Sequence, residues 1–174
     1  MSRLALRALF GCAVLALAAI PAAADTPTLL GVSHDWSAFT SGTGSSKICY
    51  AISKPISTKP KAKRDPIYFL INDWPGRRAK SEPEFVPGYQ YKDGGTVTAS
   101  VGGVAVTFFT QNDAGQGAAW VRERADEVKL ITAMKSGSAL VVTGASKRGT
   151  KTTDTFSLNG LSDALDKIHT ACGM

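Results

Sequence analysis

Two cysteines, Cys49 and Cys172, constrain the fold of this chain more than any other residues. They remain once a leader is set aside. Arg3 and Arg7 give a short positive start, Leu9 to Ile20 is a mostly apolar run, and Ala22-Ala23-Ala24 offers a small-residue cleavage site before Asp25. Residues 1–24 therefore read as a secretory signal peptide, too short and wrongly flanked for a lasting membrane span. Its removal takes Cys12 with it. Lipidation at Leu9-Phe10-Gly11-Cys12 is the weaker alternative, because Phe10 is bulky and a long apolar run follows Cys12. An even cysteine pair in an exported chain is most simply a disulfide. Closing so long a loop contributes roughly 5 kcal/mol in a chain-entropy account. A redox or metal thiol is the alternative, but C-x-x-C is absent and no histidine cluster surrounds either cysteine.

Residues 25–174 have the length of one domain, and no second apolar run in them is long enough to span a membrane. Short strand patterns follow one another along the chain. Residues 31–40 read as one strand, with Val32, His34, Trp36 and Ala38 at period two. Lys47 to Ser53 reads as its hairpin partner, with Ile48, Tyr50 and Ile52 opposite Cys49 and Ala51. Lys54 to Asp65 reads as a mobile basic loop, Pro66 to Asn72 as a buried strand and Asp73 to Pro83 as a loop. Further strands are expected at 84–91, 96–101, 104–110, 118–122, 140–145 and 152–158, with Gly102-Gly103 as a hairpin turn. A helix is expected from Ala125 to Ser136 with Val128, Ile131 and Met134 inward. A second is expected from Gly160 to Ala171, with Leu161, Leu165, Ile168 and Cys172 on one face. Strands in succession, with turn signals every 8–12 residues, imply a mainly β, antiparallel β-sandwich with two short α-helices. The C-terminal helix would be anchored by the Cys49–Cys172 bond.

Catalytic constellations are thin. The two histidines, His34 and His169, lie in no metal-type spacing, and G-x-S-x-G is absent. His169 is three residues from Cys172, but an oxidised cysteine cannot act as a nucleophile. Glu82 and Glu84 could share a strand face. No catalytic residue, metal centre or cofactor is expected. The whole chain carries a formal charge of +6, two units of which are the leader arginines, so residues 25–174 are mildly basic. That favours anionic lipid or polysaccharide and is too little to argue nucleic-acid binding. The positive charge gathers in three loops: Lys59, Lys61, Lys63 and Arg64; Arg77, Arg78 and Lys80; and Lys147, Arg148 and Lys151. Brought to one end of a sandwich, these would form an anion-binding surface. Trp36 and Trp120 sit in strand patterns and read as core. Trp74, just before Pro75-Gly76, reads as an exposed aromatic suited to recognition.

Several stretches resemble the invasion-associated locus B family. They are Lys63-Arg64-Asp65-Pro66-Ile67-Tyr68-Phe69, the Gln111-Asn112-Asp113 loop leading to Trp120, Ala133-Met134-Lys135-Ser136-Gly137-Ser138, and Asp154 to Leu165 with the closing Cys172. The resemblance runs through essentially all of residues 25–174. It implies an exported α-proteobacterial envelope protein with an immunoglobulin-like sandwich and small appended helices, from a family named for a role in host-cell invasion. It implies no catalytic residue set. Ser37-Ala38-Phe39-Thr40 follows Trp36 where some relatives carry a further cysteine, so a second disulfide is not available here.

The leading expectation is a non-enzymatic periplasmic binding module, outer-membrane associated or secreted. Its basic loops (Lys63, Arg64, Arg77, Arg78, Lys80, Lys147, Arg148, Lys151) or Trp74 would engage an anionic envelope or host component or a protein partner. The second is a structural or stress-protective envelope protein with no dedicated ligand. The third is an enzyme built around His34, Glu82 and Glu84.

Overall fold

The computed structural model describes residues 25–113 and 115–174; the leader expected at 1–24 lies outside them. Among the described residues there are eleven strands: β1 Thr28–Ser33, β2 Trp36–Ser41, β3 Ile48–Ser53, β4 Ser57–Lys59, β5 Tyr68–Trp74, β6 Ala79–Val86, β7 Thr96–Val101, β8 Val104–Asp113, β9 Gln116–Val121, β10 Ala139–Ala145 and β11 Lys151–Ser157. Helix α1 spans Arg124–Ser136 and α2 spans Leu161–Cys172. All strand pairs are antiparallel, in one continuous sheet of order β1-β2-β3-β5-β6-β9-β8-β7-β10-β11-β4.

The sheet folds over on itself, so that its two arms become the layers of a sandwich. Phe69 on β5 lies 5.7 Å from Phe156 on β11 and 6.2 Å from Phe108 on β8, between strands that share no ladder. Phe85 meets Phe156 edge-on at 6.1 Å. The fold-over is thus driven by burying four phenylalanines against one another. Trp36 fastens the open side, its indole N–H donating to the Ser157 carbonyl at 3.0 Å.

The two helices close the remaining sides. α2 lies over β1, β2 and β3, with Leu161, Leu165 and Ile168 at no more than 1% exposure. Each such side chain contributes about 1.5–3 kcal/mol on burial. The disulfide joins Cys49 on β3 to Cys172 at the end of α2, across a sequence separation of 123. The mainly β sandwich with a disulfide-anchored C-terminal helix is the architecture expected from the sequence.

Several local expectations need correction. Residues 31–40 are two strands, because His34 adopts a left-handed conformation (φ 49°) and a tight turn at His34-Asp35 pairs Ser33 with Trp36. The turn leaves Val32 exposed while Trp36 is buried. Residues 73–83 are mostly strand. Pro83 is tolerated because β6 pairs with β9 only at Glu84 and Phe85, so one side of β6 is an open edge before that point. The basic loop at 54–65 contains β4, which pairs with β11. In α1 the buried residues are Glu127, Leu130, Ile131 and Met134, and Val128 is half exposed. Trp120 is not core: Gly117, Ala119 and Val121 take the inward positions of β9, which turns Trp120 onto the outer face.

Candidate functional site

The three basic loops do not form one surface. Lys63 and Arg64 precede the start of β5, whereas Arg77, Arg78 and Lys80 follow its end, about 20 Å away at strand rise. The β10–β11 turn, with Lys147, Arg148 and Lys151, joins the first group. The loop over residues 60–65 and that turn enclose a pocket of about 370 Å³, within the range of small-ligand sites. Lys63, Arg64 and Arg148 line it together with Tyr89, Thr150 and Thr152. Lys147 and Lys151 are exposed on the same hairpin.

Arg64 builds this pocket. Its guanidinium grips the fully buried Asp154 carboxylate with both terminal nitrogens, Nη1 donating to Oδ2 at 3.0 Å and Nη2 to Oδ1. Nη1 also donates to the Pro87 carbonyl at 3.2 Å, and the group sits 5.7 Å from the Tyr89 ring centre. The fork geometry of arginine suits this bidentate role. Gly88 lets the loop close, since it holds φ 71° and a Cβ there would collide with the Asp65 carbonyl. Tyr89 and Thr152 share a hydroxyl hydrogen bond of 2.7 Å, and burial pushes the Tyr89 phenol up. Arg64 is thus neutralised from within. Lys63 and Arg148 make no ion pair among the described residues.

At the other end, Arg77 stacks over Trp74 at 4.5 Å and donates to Glu82 Oε2 at 3.1 Å. Arg78 is exposed in a left-handed conformation (φ 54°), and Lys80 is half-buried with its carbonyl accepting from Arg124 Nη1. Trp74 is half-buried rather than exposed. Glu82 and Glu84 do share the outer face of β6, but His34 lies in the β1–β2 turn beside Gly160 and does not join them.

One cluster escaped the sequence reading. Ser81 Oγ lies 2.9 Å from His169 Nε2, and the Ser81 N–H donates to Asp73 Oδ1 at 2.8 Å. Asp73 is fully buried, and its other oxygen, Oδ2, is 3.8 Å from the same His169 nitrogen. Ser81 occupies a bulge opposite Asp73, with φ 55°. Burial holds the His169 imidazole below its ordinary value and pushes the Asp73 carboxyl up. The residue types are those of a serine-hydrolase triad, but the arrangement is not. Serine and aspartate both approach Nε2, whereas a relay needs them on opposite ring nitrogens. Ser81 is also largely buried, at 7% exposure. No signal in the sequence announced this cluster, because a bulge and a helix more than eighty residues apart assemble it.

These features define a class: a disulfide-closed antiparallel sandwich, sealed by two helices and carrying a basic pocket at one end. The chain belongs to the Invasion associated locus B (IalB) protein family, which it matches over residues 36–169. It is similar in fold to the crystal structure of invasion associated protein B from Bartonella henselae, with a TM-score of 0.57 at 13% identity, covering 83% of this chain and 98% of that one. No curated protein matches it at a significant level. Among the described residues, no helix is long and apolar enough to cross a membrane.

Proposed function

We propose that this protein is an exported, non-enzymatic binding module of the bacterial envelope that holds an anionic group in the pocket between the 60–65 loop and the β10–β11 turn. The observation that carries the reading is the pairing pattern of the pocket cations. Arg64 is neutralised by Asp154 and fixes the wall, while Lys63 and Arg148 make no ion pair among the described residues and outnumber the one other acid of the lining, Asp65, around a cavity that also offers hydroxyl groups. Such a site suits a phosphate- or carboxylate-bearing envelope component. The leader pattern and the disulfide support a periplasmic location, since such bonds persist in oxidising compartments. The failed triad geometry at Ser81, His169 and Asp73 supports the non-enzymatic reading.

The test is co-sedimentation of the oxidised protein, residues 25–174, with vesicles of phosphatidylglycerol and of phosphatidylcholine at low and high salt. Binding should favour the anionic vesicles and fall with salt. Lys63→Glu with Arg148→Glu should abolish it, and Arg77→Glu with Arg78→Glu, at the far end, should leave it unchanged. Equal binding by the first variant, or loss only in the second, would remove the pocket assignment.

A further inference from the structure

A second surface, independent of the basic pocket, lies on the outer face of the sheet. Two adjoining grooves, of about 760 and 430 Å³, share Glu84, Gln111 and Trp120 as walls. Register explains why they form. Glu84 on β6 is paired with Trp120 on β9, which is paired with Phe109 on β8, so the three side chains stand in a row across the face. Trp120 and Phe109 pack at 5.9 Å, and Trp74 enters the second groove from β5. We propose that this face binds a neutral carbohydrate chain, with the aromatic rings as platforms for sugar rings and Glu84 and Gln111 as hydrogen-bonding partners for hydroxyl groups.

Three observations point to that ligand chemistry. First, the polar group at the centre is pre-organised. Asn72, 2% exposed, donates from Nδ2 to Glu84 Oε2 at 2.9 Å, fixing the carboxylate in place on an otherwise open face. Burial, although the face is open, pushes the Glu84 carboxyl up, against the pull of the Asn72 hydrogen bond. A carboxylate and a primary amide, Gln111, offer planar pairs of polar atoms that match vicinal hydroxyls. Second, the rings are flat apolar surfaces with polar edges, the complement of a pyranose, which shows C–H groups on its faces and hydroxyls on its rim. Third, charge selects against the alternatives. Glu82, Glu84 and Asp113 line the grooves against Arg77, with Arg122 stacked 4.7 Å over Phe109. This balance sets the face apart from the basic pocket and disfavours a polyanion. A wholly apolar partner would strip water from Glu84 without replacing its hydrogen bonds.

The experiment titrates chitohexaose, cellohexaose and maltohexaose into the oxidised protein, following tryptophan fluorescence and calorimetry, with heparin as the polyanion. Millimolar concentrations of at least one neutral oligosaccharide should change the tryptophan signal and release or absorb heat. Trp120→Ala and Glu84→Ala should each weaken that binding by about tenfold or more, as expected for anchor residues. Gln111→Ala, at an exposed position unable to disturb folding, should weaken it measurably. Lys63→Glu with Arg148→Glu should not affect it. No response to any of the three oligosaccharides, binding of heparin alone, or undiminished binding by folded Glu84→Ala and Gln111→Ala would overturn the proposal. Loss of sugar binding in the basic-pocket variant would overturn it too, by placing the sugar elsewhere.

Discussion

The Arg64–Asp154 pair is a severe test of how the basic end is built. Asp154 has no side-chain exposure and Arg64 has 8%, so neither charge is screened by water. Each is compensated almost wholly by the other, with the Pro87 carbonyl taking one more arginine proton. Asp154→Asn keeps the shape and removes the negative charge, stranding a guanidinium in the interior. Breaking a buried pair in this way costs about 3–5 kcal/mol. That is a large share of the roughly 5–15 kcal/mol that holds a domain folded. For a domain of about 150 residues it corresponds to a fall of about 10 °C in Tm. Replacing both partners, Arg64→Met with Asp154→Leu, removes the charge along with its counter-charge and should recover most of the loss. Urea titration of the oxidised proteins at neutral pH, followed by tryptophan fluorescence and circular dichroism, gives all the free energies required. The single variant should shift the midpoint strongly at unchanged slope. The reasoning is refuted if Asp154→Asn lies within about 0.5 kcal/mol of the natural protein, or if the double variant is as unstable as the single.

Three further outcomes follow from the same packing. Cys49→Ser with Cys172→Ser should lower stability by up to about 5 kcal/mol, from the 123-residue separation the bond closes; a urea midpoint unchanged by reduction would contradict this. His169 is held below its ordinary value of 6.5, chiefly by burial. The unfolded chain therefore takes up the proton first, and stability present above about pH 6.5 should decline as the pH falls through that value. His169→Gln should flatten this decline in urea midpoints between about pH 7 and 5, while Asp73, displaced upward, acts in a more acidic window and with opposite sign; parallel profiles for the two proteins would exclude His169 as the source. Gly160 caps α2 at φ 90°, with the Ser33 carbonyl pressed against the place of a Cβ. Gly160→Ala should cost more than about 1 kcal/mol, and a thermal melt equal to that of the natural protein would show that the β1–β2 turn yields there.

What the sequence disclosed was whatever depends on neighbours along the chain. Ile48 to Ser53 alternates because one face of β3 meets the core, and its inward Cys49 made the staple to α2 legible. The α2 stripe of Leu161, Leu165 and Ile168 reads equally well in the sequence. Local rules failed where a tertiary partner overrode them. Pro83 looked like a loop signal, yet its side of β6 has no ladder partner to lose. Val128 looked inward by spacing, yet α1 turns Glu127 and Leu130 to the sheet, with Arg124 holding Glu127 at 2.6 Å. The basic runs were legible as charge but not as geometry, since β5 carries one of them to each end.

The same distinction explains why the two candidate ligand surfaces differ in origin. The basic pocket uses residues that the sequence had singled out, because cationic loops are visible as composition. The pocket acquires its form, however, from a carboxylate ninety positions from Arg64. The outer-face groove was hidden. Trp120 carries the periodicity of a strand whether its side chain points in or out, and only the small inward residues Gly117 and Ala119 decide the direction. Once Trp120 is outward, the register with Glu84 and Phe109 follows from the ladders, and Asn72 is placed to hold the carboxylate. Trp120 is turned outward yet packed on Phe109, beside a carboxylate that satisfies the buried Asn72 amide. The disulfide, the Phe69–Phe156 contact and the Trp36 hydrogen bond account for the closure of the sandwich without that face. The carbohydrate chain proposed for that face would use this row of cross-strand neighbours as its platform.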